Sequence, residues 1–578
     1  MKRQEKNKAL RSRIRVLSCI MYLLFCVMAT KSVYYQIIIR DWLADKASGQ
    51  YEKQEIIAGK RGEIFDACHR KLAVSIDVTS VGVHPAQITD ARVTAKALSD
   101  TLGVNRQEVV AKLLSKKPFI WIKRQISPKE SSALEAKKLP GVMFLPDHSR
   151  FYPNRSLAAQ VIGFCGIDGK GIEGLEYFYN SELQGKQDKV KVLKDALGRR
   201  FDSEKNTDPN CDGHNLVLTI DGAIQYTTEK ALEDAVVGFS AKSGIAIVMD
   251  PRTGGILALA HYPRFNPNSY QDYPRYDIRN RAFTDPFEPG STMKIFSASA
   301  AIESKICKPT TTFYCENGAF RVGSNIVHDT HSYRTLTLQE IIKYSSNIGA
   351  IKVGQMIGGE ILYNNLHNFG FGEKTGIEAS GESPGLLSSY TRWRKIDEGT
   401  IAFGQGISVT AIQLITATAA VANDGVLMKP HLVQAITDAN GKIIRKIDPV
   451  PVRQAVSAAT ARTVREMLKT VVAPGGTGVN AAIDGYDVCG KTGTAQKIDH
   501  GVYAKGKYVG SFIGFLPADH PEAVILVVVD EPEKRHYGGT VAAPAFRRIA
   551  LETLGYLNIP PDSVPNKLTV SIDREAKG

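Results

Sequence analysis

Strand-like segments stand at the two ends of the C-terminal half of this 578-residue chain, with more than 200 residues of helical pattern between them. Gly244-Ile245-Ala246-Ile247-Val248-Met249-Asp250, a turn through Pro251 to Gly255, and Ile256-Leu257-Ala258-Leu259-Ala260 read as a hairpin. Three more strands come late: Tyr486 to Gln496, Tyr508 to Leu516 and Val524 to Asp530, the last two joined by Pro517-Ala518-Asp519-His520-Pro521. A helix over Ala542–Leu557 closes the run. This layout predicts an α+β domain: a five-stranded, mostly antiparallel sheet built from both ends, with a helical lobe inserted. The domain is expected to span 221–557, with 558–578 a loose polar tail. The length leaves room for further domains before it.

Inside the helical stretch lies Phe287-Glu288-Pro289-Gly290-Ser291-Thr292-Met293-Lys294. Pro289 and Gly290 break what precedes them, and Ile295, Phe296, Ala298 and Ile302 then recur at near-helical spacing. Ser291 is expected in the first turn of a helix, with Lys294 on the same face. The positive end of a helix favours an alkoxide and disfavours a protonated lysine. An unprotonated lysine is able to take the proton of a serine nucleophile. A lone Ser-x-x-Lys reads equally as a solvated helix face.

Two later elements change its weight: Ser345-Ser346-Asn347, and Lys491-Thr492-Gly493-Thr494. Alone, the first reads as a capping cluster and the second as a surface turn. On an edge strand, Lys491 to Thr494 would offer a cation, hydroxyls and backbone N–H groups to a carboxylate-bearing peptide that adds as an extra strand. Gly493 would keep a side chain from crowding that peptide.

The three elements, in this order, resemble the class B penicillin-binding proteins, the peptidoglycan D,D-transpeptidases. Further landmarks are Arg61-Gly62-Glu63-Ile64-Phe65-Asp66, Gly171-Ile172-Glu173-Gly174-Leu175-Glu176, Phe403-Gly404-Gln405-Gly406-Ile407 and Ala542-Ala543-Pro544-Ala545-Phe546. The resemblance runs from about residue 14 to about 555, and the flanking sequences are most similar to the division-specific, FtsI-type branch.

The resemblance implies roles. Ser291 attacks the carbonyl between the two terminal D-alanines of a stem peptide, and Lys294 is the general base. Ser345 relays the proton to the departing D-alanine, and Asn347 holds the substrate amide and Lys294. Lys491 raises the local positive potential. Thr492 and Thr494 bind the substrate carboxylate, and the backbone N–H groups of Ser291 and Thr494 form an oxyanion hole. It also implies β-lactam acylation, no metal or organic cofactor, and an inner-membrane setting beside a SEDS-type (FtsW-like) glycosyltransferase and other divisome proteins.

The N-terminus fits that setting. Residues 1–15 carry seven basic side chains against Glu5 alone, and 16–39 are long and apolar enough to span a bilayer, with Lys31 near the far end. The positive-inside rule places the N-terminus in the cytoplasm and the remainder outside. Val27-Met28-Ala29 leaves cleavage of a signal peptide as the alternative. Residues 40–60 read as a helical stalk, 61–86 as strands and 87–140 as helices, and by resemblance 40–220 form an elongated α+β pedestal. The family's Asn-Gly hairpin turn is here Cys68-His69, read as a tolerated turn or, at the sharp end, a metal site. The net charge of +14 comes with no zinc spacing and no basic stripe interleaved with aromatics, which points away from nucleic acid. Cys307 and Cys315 either pair in an oxidising compartment or stay as two thiols.

The rivals differ in kind. A β-lactamase is shorter, lacks a pedestal and needs a glutamate-bearing loop that no segment here resembles. A β-lactam sensor carries several membrane spans, and a non-catalytic scaffold would not need Ser291, Lys294, Ser345 and Lys491. A bifunctional class A protein would carry a glycosyltransferase domain that 40–220 does not resemble. An elongation-specific transpeptidase remains the alternative to a septal one.

Overall fold

The computed structural model describes residues 2–193, 211–322, 325–499 and 502–562, so most of the expected tail lies outside the described residues. The chain forms two compact units. The smaller comprises 1–59 and 185–212. Its helix Lys2–Val33 passes through a π-helical turn, Tyr34–Ile38, into a second helix, Arg40–Tyr51. Among the described residues Gln4–Ile38 alone is long and apolar enough to cross a bilayer, with a mean hydropathy of 1.9 in its most apolar window. The stalk is not helical throughout: Glu52–Ala58 is a strand, paired antiparallel with Gln187–Leu193. A partner 130 or so residues away in sequence leaves no local signature.

The larger unit holds 60–184 and everything from Gly213 on. Its N-terminal part contributes the strands Ile64–Phe65, Lys71–Val83, Ile120–Ile126 and Val142–Phe151 to a seven-stranded sheet. Ile120–Ile126 falls in a stretch expected to be helical; its alternating Ile120, Ile122 and Ile126 pair it with Lys71–Val83 instead. The other three strands, Asn215–Leu218, Val433–Thr437 and Ile443–Lys446, come from later in the chain. The turn after Asp66 survives without Asn-Gly. His69 takes the left-handed conformation (φ 58°), and the Asp66 carboxylate accepts the N–H groups of Cys68 and Arg70 at 2.9 and 2.7 Å. Two landmarks meet in the interior: Arg61 and Arg150 each donate to the fully buried Glu176 at 2.6 Å. The two guanidinium groups compensate a carboxylate that burial alone would disfavour.

A second sheet has five strands, β1 (Ser243–Met249), β2 (Ile256–Tyr262), β3 (Cys489–Asp499), β4 (Val502–Leu516) and β5 (Ala523–Asp530). Their order is β2-β1-β5-β4-β3, every pair antiparallel, with β3 at an edge. Alternation divides the side chains between two cores. Ala246, Val248 and Val527 join the helices α1 (Gly222–Gly238) and α7 (Ala543–Tyr556). Ile247, Ile513 and Leu526 face the inserted lobe. There α5 (Ala411–Ala422), buried at every position, crosses the sheet, and α2 (Lys294–Glu303), α3 (Leu338–Tyr344), α4 (Asn347–Ile357) and α6 (Ala458–Val472) surround the Ser291 segment. Burial on both faces is worth about 1.5–3 kcal/mol per large apolar side chain, which makes this sheet a rigid mount. Cys307 Sγ lies 3.6 Å from Met356 Sδ and Cys315 is separately buried, so the two thiols are unpaired.

Candidate active site

Ser291 lies in a 3-10 turn, Gly290–Met293, that runs directly into α2. The segment before it is pinned in place. Phe287 and Val409 exchange both backbone hydrogen bonds at 2.9 Å, and the Gly290 N–H donates to the Gly404 carbonyl at 3.2 Å. Gly290 has φ 56°, and a Cβ on Gly404 would come within 2.1 Å of the Gly290 carbonyl. Both landmarks thus need glycine because two backbones touch here. Thr292 fastens the turn by donating to the Pro289 carbonyl at 2.8 Å.

Lys294 is completely buried. Its Nζ lies 3.0 Å from Ser291 Oγ, 2.6 Å from the Ser345 carbonyl and 2.8 Å from Asn347 Oδ1. Of these partners only the Ser291 hydroxyl is able to donate. A neutral Lys294 therefore gives its two protons to Ser345 and Asn347 and turns its lone pair toward Ser291. Burial pushes the Lys294 ammonium down from the usual 10.5 to about 7, with the Asp329 carboxylate acting the other way. The amine is thus available as a base near neutral pH.

Ser345 caps α3 in the left-handed conformation, with φ 61°. A non-glycine residue held there stores strain, and such residues gather at functional sites. Here it aims the Ser345 carbonyl at Lys294 while its hydroxyl accepts from Lys491 Nζ at 2.9 Å. Lys491 is also completely buried and is held well below its usual range, first by desolvation and then by the neighbouring Lys294. Two cations around one hydroxyl disfavour each other, which adds to the depression of Lys491.

The edge strand brings the third element. Lys491, Gly493 and Ala495 share the face of β3 turned to the lobe, as strand alternation requires. A Cβ on Gly493 would meet Ser511 Oγ at 2.2 Å and Thr292 Cγ2 at 3.0 Å. The glycine also lets β3 pack against β4 and the Ser291 turn, a role beside the expected one of leaving space for a substrate. Thr494 Oγ1 accepts from the Gly538 N–H at 3.2 Å, and Thr492 Oγ1 donates to Thr477 Oγ1 at 3.1 Å.

Asp329 is a residue that the sequence did not flag. Its carboxylate accepts the Ser346 hydroxyl at 2.6 Å, the Asn347 N–H at 2.5 Å and the Ile348 N–H at 3.1 Å. It thereby caps α4 from another segment and fixes where Asn347 points. A single aspartate in a loop, outside any motif, gives no signal. Thr477, in a glycine-rich stretch, gave none either. Among the described residues no three His, Cys, Asp or Glu side chains are grouped to hold a metal.

A serine beside a buried lysine at a helix start, a second buried lysine and an open edge strand define a serine acyl-transfer enzyme of the Ser-x-x-Lys class. Comparison with known proteins makes this specific. Residues 244–551 match the penicillin binding protein transpeptidase domain, and 56–218 the penicillin-binding protein dimerisation domain. Peptidoglycan D,D-transpeptidase FtsI of Escherichia coli K12 is 32% identical over 573 residues, covering 97% of this chain and 95% of that one. Stage V sporulation protein D of Bacillus subtilis is 34% identical over 564 residues, covering 96% and 87%. The structure of penicillin-binding protein 3 of Mycobacterium tuberculosis, complexed with aztreonam, superimposes with a TM-score of 0.69 at 29% identity, covering 88% of this chain and 99% of that one. The chain belongs to the class B penicillin-binding proteins, in the FtsI-like branch, and is a peptidoglycan transpeptidase.

Proposed function

We propose that the protein cross-links peptidoglycan stem peptides through an acyl-enzyme on Ser291, with release of the terminal D-alanine, and that it serves septal wall synthesis. The observation that carries the chemistry is the completely buried Lys294, whose Nζ lies 3.0 Å from Ser291 Oγ. Lys294 takes the Ser291 proton as Oγ attacks the carbonyl between the two D-alanines. The backbone N–H groups of Ser291 and Thr494 hold the oxyanion. Lys491 donates to Ser345 at 2.9 Å, which primes the Ser345 hydroxyl to pass a proton to the leaving amine. Thr492, Thr494 and Lys491 receive the substrate carboxylate, and Gly493 keeps β3 close to the nucleophile turn. A stem-peptide amine then attacks the ester, and water must be kept from doing so. A β-lactam enters by the same first step.

The septal assignment rests on the FtsI likeness, and with it go an FtsW-like glycosyltransferase partner and a place among divisome proteins. An elongation role is the alternative. The apolar 16–39 segment behind a basic leader supports a single-pass inner-membrane anchor, with the N-terminus cytoplasmic and residues 40–220 as the pedestal for a catalytic domain over 221–557.

The test of the chemistry is Ser291→Ala. Covalent labelling by a fluorescent penicillin should vanish while circular dichroism is unchanged; labelling retained on another residue would move the nucleophile. Depletion tests the role: filamentous cells support septation, and rounded cells overturn it.

A further inference from the structure

A cavity of about 430 Å³ lies on the lobe-side face of the five-stranded sheet. That is within the ~300–1,000 Å³ of small-ligand sites. Its floor is apolar, formed by Ile245, Val509 and Val528. It reaches inward as far as the start of β1, where Lys242, Tyr276 and Arg281 line it. β1 stands three strands in from β3 in the sheet order, roughly 14 Å at ~4.8 Å per strand. This inner end is therefore remote from a peptide added to the free edge of β3.

Arg281 is the unusual group there. It is 5% exposed, and among the described residues every acceptor it reaches is neutral: Ser243 Oγ at 2.6 Å, Tyr276 Oη at 3.0 Å, and the carbonyls of Tyr262 and Gly244 at 2.9 and 3.5 Å. The lining carboxylates are engaged elsewhere. Asp285 takes Arg279 at 2.7 Å, Asp530 takes Lys497 at 2.8 Å, and Glu288 accepts the Gly406 N–H at 2.8 Å. His261 is no counter-ion, because burial first and the Arg281 charge second hold its imidazolium well below the usual value. A guanidinium stays charged in a protein, and buried charges are as a rule paired. The Tyr276 ring, 4.8 Å from the guanidinium carbon, compensates only in part. Lys242, held loosely by Glu531 at 3.5 Å, stands over the same ring and adds a second cation.

We propose that the inner end of this cavity binds a small organic acid, its carboxylate paired with Arg281 and its apolar body laid on Ile245, Val509 and Val528. The site is separate from the Ser291 groove and goes beyond the transpeptidase reading. The four neutral acceptors use the Nη protons of Arg281, which leaves its Nε–H for the ligand. No Arg281 nitrogen is both sealed from solvent and unpartnered, so that N–H is open, on a residue that lines the cavity. A charge-assisted bond to a carboxylate is the strong kind, and low surrounding polarity strengthens it further.

The test titrates 3-phenylpropionate, and separately its neutral carboxamide, into the full-length protein in nanodiscs, read by calorimetry against empty nanodiscs. Each titration is run on the free protein and on protein already acylated with benzylpenicillin, whose remnant fills the Ser291 groove. In both forms the acid should bind about tenfold more tightly than the amide, equivalent to ~1.4 kcal/mol. In Arg281→Met, which keeps the length but not the charge, that ratio should fall to near one. Val528→Phe drives a ring into the cavity from its floor and leaves Arg281 in place. It should weaken both ligands by about tenfold or more, and it decides the matter if Arg281→Met does not fold. A wild-type ratio near one, a ratio that survives Arg281→Met, or undiminished binding to Val528→Phe overturns the proposal. Acid binding that acylation abolishes would assign the carboxylate to the Ser291 groove and overturn it too. If benzylpenicillin does not acylate the protein, the transpeptidase reading falls, and the two variants alone decide the acid site.

Discussion

Lys491 reaches across 146 residues of chain to place its ammonium group 2.9 Å from the Ser345 hydroxyl, and Lys294 lies 3.4 Å from that same oxygen. The serine is thus wired to both amines. One amine faces the Ser291 hydroxyl and the other stays on the edge strand, against Thr492.

The pH dependence of acylation follows from Lys294. Its ammonium is depressed to about 7 by burial, so below that pH the amine is protonated and cannot accept the Ser291 proton. Second-order penicillin acylation should rise through about pH 7 and level off above it. A flat profile between pH 5.5 and 8.5 would contradict the assignment of Lys294 as base.

The same burial has a cost in stability. In the unfolded chain Lys294 binds its proton up to about pH 10.4, whereas in the folded protein it releases it near 7. Between these values the unfolded state holds more protons, so this group's contribution to stability rises with pH across that window. Lys294→Met should abolish labelling yet raise the thermal midpoint by a few degrees, read by calorimetry. A lowered midpoint would mean that the lysine's hydrogen bonds outweigh its desolvation.

Asp329 acts on both the position and the titration of the site. Asp329→Asn keeps the shape but loses charge-assisted bonds to Ser346, Asn347 and Ile348. Acylation should slow by about tenfold or more. The midpoint of its pH profile should also move down, because the carboxylate is what holds the Lys294 value up. A merely structural role would slow acylation and leave the midpoint in place.

Gly493→Ala should destabilise the protein by about 1–3 kcal/mol through overpacking and displace the nucleophile turn. Adding Ser511→Ala removes the atom that the new Cβ meets at 2.2 Å and should restore much of both stability and labelling. No rescue would return the glycine to the role of clearing space for substrate.

The penicilloyl adduct on Ser291 should persist for many minutes. Among the described residues no carboxylate hydrogen-bonds to Ser291 or Lys294, and the oxygens of Asp329 are taken by three donors. No carboxylate among the described residues is thereby poised to activate water. Loss of the adduct within seconds, with turnover, would indicate a β-lactamase.

What was legible in the sequence was whatever local pattern encodes. The five strands announce themselves by apolar runs, and Ser291, Lys294, Ser345, Asn347 and Lys491 by three short elements in order. The strand Ile120–Ile126 was not legible, because its polar Lys123-Arg124-Gln125 stretch masks the alternation and its partner supplies the pairing. Asp329 was not, because it acts through neighbours in another segment of the chain. The packing role of Gly493 was not legible either: a sequence shows that a side chain is missing, not which atom would have collided with it.

The central strand pair of the catalytic sheet joins Ser243–Met249 to Ala523–Asp530, nearly the full length of the domain apart. A chain emerging from the ribosome therefore carries Ser291 and Lys294 long before it carries the strands that seat them. Until the last 70 or so residues of the domain have been made, the sheet under the lobe lacks three of its five strands and Lys491 is not in place to meet Ser345. Pairings of such long range also close slowly. Reactivity toward substrate or drug is accordingly a property of the finished molecule, not of the growing chain.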